Sequence, residues 1–375
     1  MNQSEQRLPG LPVAAGKREF PRGSTPDKPK NVVHLSPWIA LPRLGRLGRL
    51  ILLLLAPALL ALATPAADSP PARGTPVILD TDIGDDIDDT WALALLINSP
   101  ELDLKLAVGD YGKSEYRARL LAKFLERAGR SDVAIGLGLD IDPYGTGRQA
   151  EWVKDYDLKS YPGPIHPDGV QAIIDTIMHS PQPVTLICIG PAPNIAAALK
   201  REPRIARHAR FVGMDGSVRQ GYGAGSPPCA EWNVRCDPAA LQAVFAAPWD
   251  ITITPLDTCG LVNLSGEKYQ RVCRATGRQV ADLIPNYRLW LAADPTTSTS
   301  VADTHSSTLF DTVAVYLAMQ QDFCAMEQLH LRVTDDGFTV IDPSARTVHV
   351  AARWKDQEAF ENFLVNRLAG AGARH

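Results

Sequence analysis

Six aspartates fall within ten residues, Asp80-Thr81-Asp82-Ile83-Gly84-Asp85-Asp86-Ile87-Asp88-Asp89, directly after the apolar run Val77-Ile78-Leu79. Like carboxylates repel, and burying one unpaired costs several kcal/mol or forces it to take up a proton. A bound cation removes that penalty. Hard divalent ions such as Ca²⁺ take about six to eight oxygen ligands, which clustered carboxylates supply. Charge runs are more often solvated loops, but this one is tightly bracketed. The β-branched run precedes it, and Trp91-Ala92-Leu93-Ala94-Leu95-Leu96-Ile97 follows as a helix-length apolar segment. A strand, acidic turn and helix in that order set carboxylates at the C-terminal edge of a sheet, where open α/β folds bind ligands.

The elements around the run alternate. Strands are predicted over Pro76–Thr81, Leu104–Val108, Asp132–Leu137, Pro183–Ile189, Arg210–Met214 and Asp250–Thr254. Helices are predicted over Asp88–Asn98, Ser114–Ala128, Gly169–Met178, Asn194–Leu199, Asp237–Phe245 and Thr308–Gln320, with two more between residues 265 and 293. A β-rich piece covers 329–352. Fully apolar strands alternating with helices predict a doubly wound α/β fold, a mostly parallel sheet with helices on both faces, in one domain.

The chain has 375 residues, 45% hydrophobic and 21% charged, with a formal net charge of −4. That balance is globular, and without a basic excess it does not point to nucleic acid. Residues 1–42 are polar and proline-bearing, without helical or strand period. Arg43, Arg46 and Arg49 then precede the apolar stretch Leu50–Ala63. A positive stretch, a short apolar core and a small-residue exit (Ala61-Leu62-Ala63) describe a secretory signal over 43–67, leaving 68–375 as the exported domain. Uncleaved, the segment would tether the protein to a membrane. The six cysteines form no CxxC pair, so a zinc site is not indicated. In an oxidising compartment one or two disulfides are open to them, Cys229/Cys236 being the nearest pair, with buried free thiols as the other reading.

Four further segments sit past a strand or open a helix. They are Ile165-His166-Pro167-Asp168-Gly169, Gly190-Pro191-Ala192-Pro193-Asn194, Ala230-Glu231-Trp232-Asn233-Val234-Arg235-Cys236-Asp237-Pro238 and Leu309-Phe310-Asp311. With the aspartate run they resemble, in order from about residue 76 to about 320, the nucleoside hydrolases of the inosine–uridine-preferring type. The resemblance implies Ca²⁺-dependent hydrolysis of the N-glycosidic bond of ribonucleosides, through an oxocarbenium-like state that carboxylates stabilise. By motif, Asp82 would be metal ligand and general base, Asp89 the second metal ligand and Asp311 the third carboxylate. Pro193 would add a main-chain carbonyl, being the residue before the asparagine of the family's Gly-Pro-x-Thr-Asn turn. Glu231, Asn233, Asn194 and His166 would contact substrate, with a structural histidine as the other reading of His166. Family members usually form dimers or tetramers.

The departures are specific. The acidic turn carries an apparent two-residue insertion, so Asp86 and Asp88 share the ribose-contact assignment. Phe310 stands where some members place a histidine as acid for the leaving base, and His305 lies five residues earlier. Lys113 occupies the apparent place of an asparagine that often contacts ribose. Two rival readings remain. An exported nucleoside- or ribose-binding protein would keep the metal grip without turnover. A haloacid-dehalogenase-type phosphatase would use Asp80 and Asp82, with Asp335-Asp336 for Mg²⁺.

Overall fold

The computed structural model describes residues 74–141 and 147–370; the expected extension over 1–42 and signal over 43–67 lie outside the described residues. Strand β1 (Thr75–Thr81) leads through the acidic turn into helix α1 (Asp88–Ile97), and β2 (Leu102–Gly109) into α2 (Ser114–Ala128). After β3 (Ala134–Gly136) come the short α3 (Ala150–Val153), the two-residue β4 (Ile165–His166) and α4 (Gly169–Met178). Next are β5 (Val184–Cys188), α5 (Pro193–Arg201), β6 (Ala209–Met214), α6 (Trp232–Cys236), α7 (Pro238–Ala246) and β7 (Ile251–Thr254). Helices α8 (Gly266–Cys273), α9 (Leu283–Ala292) and α10 (Phe310–Met319) follow. The chain closes with β8 (Cys324–Val333), β9 (Thr339–Ile341), β10 (Thr347–Trp354) and α11 (Gln357–Leu368).

Among the described residues the strands form one ten-stranded sheet in the order β4-β3-β2-β1-β5-β6-β7-β10-β8-β9. Every pairing from β4 across to β10 is parallel, and β8 and β9 are antiparallel additions at the far edge. Both faces of β1 are buried: Val77 and Leu79 pack into one apolar cluster and Ile78 into the other. That is why its run reads as continuously apolar rather than alternating. From β1 the chain goes to β2 on one side and returns to β5 on the other, so the C-terminal ends of β1 and β5 flank a topological switch point.

Helices α1 and α10 are buried on every side, from Trp91 to Leu96 and from Val313 to Leu317. Burying one such side chain stabilises by roughly 1.5–3 kcal/mol, so the two helices form a rigid base for the residues at their N-termini. Sequence periodicity does not find β4, α3 or α6, which are too short to show one. It also leaves out α11, although Phe360, Leu364, Val365 and Leu368 are buried at helical spacing. All six cysteines are free thiols, which removes the disulfide reading. Among the described residues no helix is long and apolar enough to cross a membrane.

Candidate active site

The acidic turn is held by its main chain. Gly84 has φ +104°, and a Cβ there would lie 2.5 Å from Leu120 Cδ1 and 2.6 Å from Tyr116 Cε1, so only glycine fits. Arg117, from α2, is fully buried beneath the turn. Its Nη1 donates to the Asp82 carbonyl and to that of Ile83 (3.0 Å). Its Nη2 donates to Asp85 Oδ2 (2.8 Å) and the Tyr111 carbonyl (2.5 Å), and its Nε to the Gly112 carbonyl (2.9 Å). Nothing in the local sequence marks this arginine, because its partners lie more than thirty residues upstream or in irregular chain.

Two helix N-termini then meet. Asp88 and Asp89 occupy the first turn of α1, and Asp311 the first turn of α10. Carboxylates are favoured at that end of a helix by its exposed N–H groups and dipole. The Asp311 N–H donates to Asp88 Oδ2 (3.1 Å), and Thr81 Oγ1 donates to Asp89 Oδ1. Asp88, Asp89 and Asp311 each bring a ligand oxygen within 4.8 Å of the others, all three buried. Burial first, and the neighbouring carboxylates next, push their carboxyls well above the usual range. Asp82 is pushed up to about 8 by burial, against the pull of Arg117. A set of buried, oxygen-only, mutually repelling ligands matches a hard divalent cation, so the residues present can hold a metal.

These groups line one cavity of about 260 Å³, small for a small-molecule pocket. Asp82, Asp85, Asp86, Asp88, Asp89 and Asp311 contribute to it, with Glu231 and Asn233 from the start of α6. Glu231 caps α6. Its Oε1 accepts from Asn233 N (2.9 Å), and its Oε2 from Gly216 N (3.1 Å) and Val234 N (3.2 Å). Asn233 Nδ2 donates to the Met214 carbonyl (2.9 Å), which orients its amide. Asp86 is exposed and accepts from Ile87 N (2.7 Å), whereas Asp88 is buried in the cluster.

The rest of the lining is aromatic and apolar apart from Arg148: Ile189, Met214, Tyr222, Trp232, Trp290 and Phe310. The rings of Tyr222 and Phe310 meet edge to face at 6.0 Å. Trp290 was not legible as a site residue. It is carried in by α9 and tied to the turn by its indole N–H, which donates to the Asp85 carbonyl (2.8 Å).

Three expected site residues lie elsewhere. Pro193 is the first residue of α5 and lines a separate depression with Leu139 and Ile141, so the main-chain ligand expected of it is corrected. A helical carbonyl points along the axis toward the N–H four residues on, away from a ligand at the N-terminal end. From the same turn, Ile189 lines the cavity instead. Asn194 is fully buried and its amide is taken up by protein: Nδ2 donates to Asp80 Oδ1 (2.9 Å) and the Gly109 carbonyl (3.0 Å), and Oδ1 accepts from Leu139 N (2.8 Å). It braces β1 against β2 rather than touching substrate. His166 sits exposed on the edge strand β4, outside the cavity.

Asn194→Ala is therefore expected to lower the unfolding free energy by about 1–3 kcal/mol by orphaning those partners. Equilibrium urea denaturation checks this. Unchanged stability with weaker substrate binding would restore the substrate-contact reading.

The departures resolve in space. Asp110, not Lys113, is the first residue past β2; it is buried and accepts from Ala192 N (2.8 Å). His305 is exposed and does not reach the cavity, and among the described residues no histidine lines it. Asp335 and Asp336 line a depression distinct from this cavity, so the acids that a phosphatase would need do not join Asp80 and Asp82.

The family model described as inosine-uridine preferring nucleoside hydrolase matches residues 77–362. The non-specific ribonucleoside hydrolase RihC of Klebsiella pneumoniae subsp. pneumoniae is 32% identical over 224 residues, covering 57% of this chain and 72% of that protein. RihC of Escherichia fergusonii matches with the same identity and coverage. The solved plant nucleoside hydrolase PpNRh1 superposes with a TM-score of 0.67 at 21% identity, covering 79% of this chain and 99% of that one. The purine-preferring ribonucleoside hydrolase from Gardnerella vaginalis gives 0.65 at 23% identity, with 80% and 99% covered. At those identities the structures establish the shared fold.

Proposed function

This chain belongs to the inosine-uridine preferring nucleoside hydrolase family, whose members are N-glycosyl hydrolases, and we propose that it cleaves ribonucleosides with Ca²⁺ in the carboxylate cluster and Asp82 as the base. The observation that carries the reading is the convergence of Asp82, Asp88, Asp89 and Asp311 with Glu231 and Asn233 round one cavity. Asp82, Asp89 and Asp311 would hold the cation, with the main chain of Ile189 in the role first expected of Pro193. When bound, such a cation supplies Lewis-acid polarisation of water and a grip on vicinal hydroxyls.

The chain's own groups do the rest. Asp82 takes a proton from the attacking water. The surrounding carboxylates stabilise positive charge as it grows on the ribosyl ring. Asp88, rather than the exposed Asp86, contacts the ribose, because its position in the buried cluster leaves one oxygen beyond the Asp311 N–H. Glu231 and Asn233 are preorganised by main-chain hydrogen bonds to receive the remaining hydroxyls. Export through residues 43–67 and assembly as a homo-oligomer belong to the same reading.

The test is release of free ribose from a panel of purine and pyrimidine ribonucleosides. It is run as purified, after chelation, and after return of Ca²⁺, Mg²⁺ or Zn²⁺. Release is expected to vanish on chelation and to return best with Ca²⁺. Metal-dependent binding of nucleoside without any turnover would make the protein a binder. Turnover that ignores chelation would remove the metal from the mechanism.

A further inference from the structure

Hydrolysis needs help at the leaving group as well as at the sugar, and the aspartate cluster provides only the latter. A nucleobase departs with the electron pair of the broken bond, so negative charge grows on it. Phe310 stands beside Asp311, and no histidine lines the cavity among the described residues. Among the described residues Arg148 is the one cationic residue in that lining. Its guanidinium carbon lies 3.5 Å from the centroid of the Trp290 ring, a close cation–π stack. Trp290 is pinned by its indole N–H to the Asp85 carbonyl, and the Arg148 main-chain N–H donates to the Gly84 carbonyl (3.2 Å). Both the backbone and the head of Arg148 are thus tied to the turn that carries the carboxylates. A ribose held by those carboxylates leaves its nucleobase to the remaining lining, which is aromatic and apolar except for this guanidinium.

We propose that Arg148 stabilises the departing nucleobase, its guanidinium donating hydrogen bonds to the ring as charge develops and the Trp290 face holding it in position. The proposal rests on the hydrolase reading above. In the step, the bond from C1′ to the nucleobase nitrogen breaks and its electron pair goes to the nitrogen. The water oxygen bonds to C1′, and one water proton passes to Asp82. The nucleobase anion then takes a proton from solvent, and Asp82 returns its own to solvent. Nucleoside and water enter; ribose and neutral base leave. Arginine keeps its protons throughout and acts by electrostatics alone.

The experiment compares Arg148→Met and Arg148→Lys with the unsubstituted protein on inosine, on uridine and on p-nitrophenyl β-D-ribofuranoside, whose leaving group departs without assistance. Loss of one preorganised donor costs about 10²–10³-fold in kcat. Arg148→Met is expected to show that loss on both nucleosides while its rate on the nitrophenyl riboside stays near that of the unsubstituted protein. Arg148→Lys should fall between, since it keeps the charge without the planar fork. Inhibition by free ribose, which carries no leaving group, should not change in either variant, showing that the carboxylate site is intact. Equal losses on all three substrates would make Arg148 a prop for Trp290 and the acidic turn, and unchanged nucleoside rates would leave it no role. Both overturn the proposal. If the unsubstituted protein cleaves none of the three, the hydrolase reading itself fails.

Discussion

Asp82→Asn is expected to lower kcat by about 10²–10⁴-fold on every ribonucleoside the protein cleaves, the range a positioned general base contributes. The amide keeps the size of the carboxylate and one oxygen toward a cation, but it cannot accept a proton from water. Asp82 is 6% exposed and lines the cavity, while Arg117 holds its main-chain carbonyl, so the substitution changes chemistry with little change of shape. Single-turnover ribose release at saturating Ca²⁺, with Ca²⁺ affinity from calorimetry, separates its two roles. A loss that persists at saturation marks the base. A loss that saturating Ca²⁺ repairs leaves Asp82 as a ligand only and moves the base elsewhere. Asp335→Asn is the internal control, since that carboxylate lines a depression distinct from this cavity.

How much of this was legible depends on how local each signal is. The strand, acidic turn and apolar helix from Val77 to Ile97 lie in one stretch of chain, and their order alone places the carboxylates at a sheet edge. Glu231, Asn233 and Asp311 were legible through motif, because each sits at the start of a helix whose sequence carries the pattern. Pro193 misled because counting back from the asparagine ignores where α5 begins. The helix starts at Pro193, so the residue that lines the cavity is four positions earlier, at Ile189. Asn194 misled differently: a polar residue in a turn reads as a ligand contact until its partners on Asp80, Gly109 and Leu139 are seen. Arg148 and Trp290 could not be paired from sequence at all. They are 142 residues apart and meet only because α9 packs beside the acidic turn.

Arg117→Met is expected to cost about 3–5 kcal/mol of stability, the penalty for removing one partner of a buried charged network. The methionine fills comparable space but donates nothing. It removes the hydrogen bonds that Arg117 donates to the carbonyls of Asp82, Ile83, Tyr111 and Gly112 and its ion pair with Asp85. It also removes the positive charge that draws the Asp82 carboxyl downward and, more weakly, that of Asp89. Without it Arg148, which acts on Asp86, is the cationic side chain left beside the turn, and a bound cation becomes the main counter-charge for the other carboxylates. Two consequences follow that a simple packing defect would not produce. Arg117→Lys should recover little, since an ammonium cannot reach five acceptors in the plane of a guanidinium. Ca²⁺ should also raise the urea midpoint of Arg117→Met clearly, because ligand bound to the native state stabilises it by mass action. Equilibrium urea denaturation of both variants, with and without Ca²⁺, measures these effects. If Arg117→Met is as stable as the unsubstituted protein in chelator, the turn does not depend on the arginine, and the account of how six aspartates are held together beside one cavity is wrong.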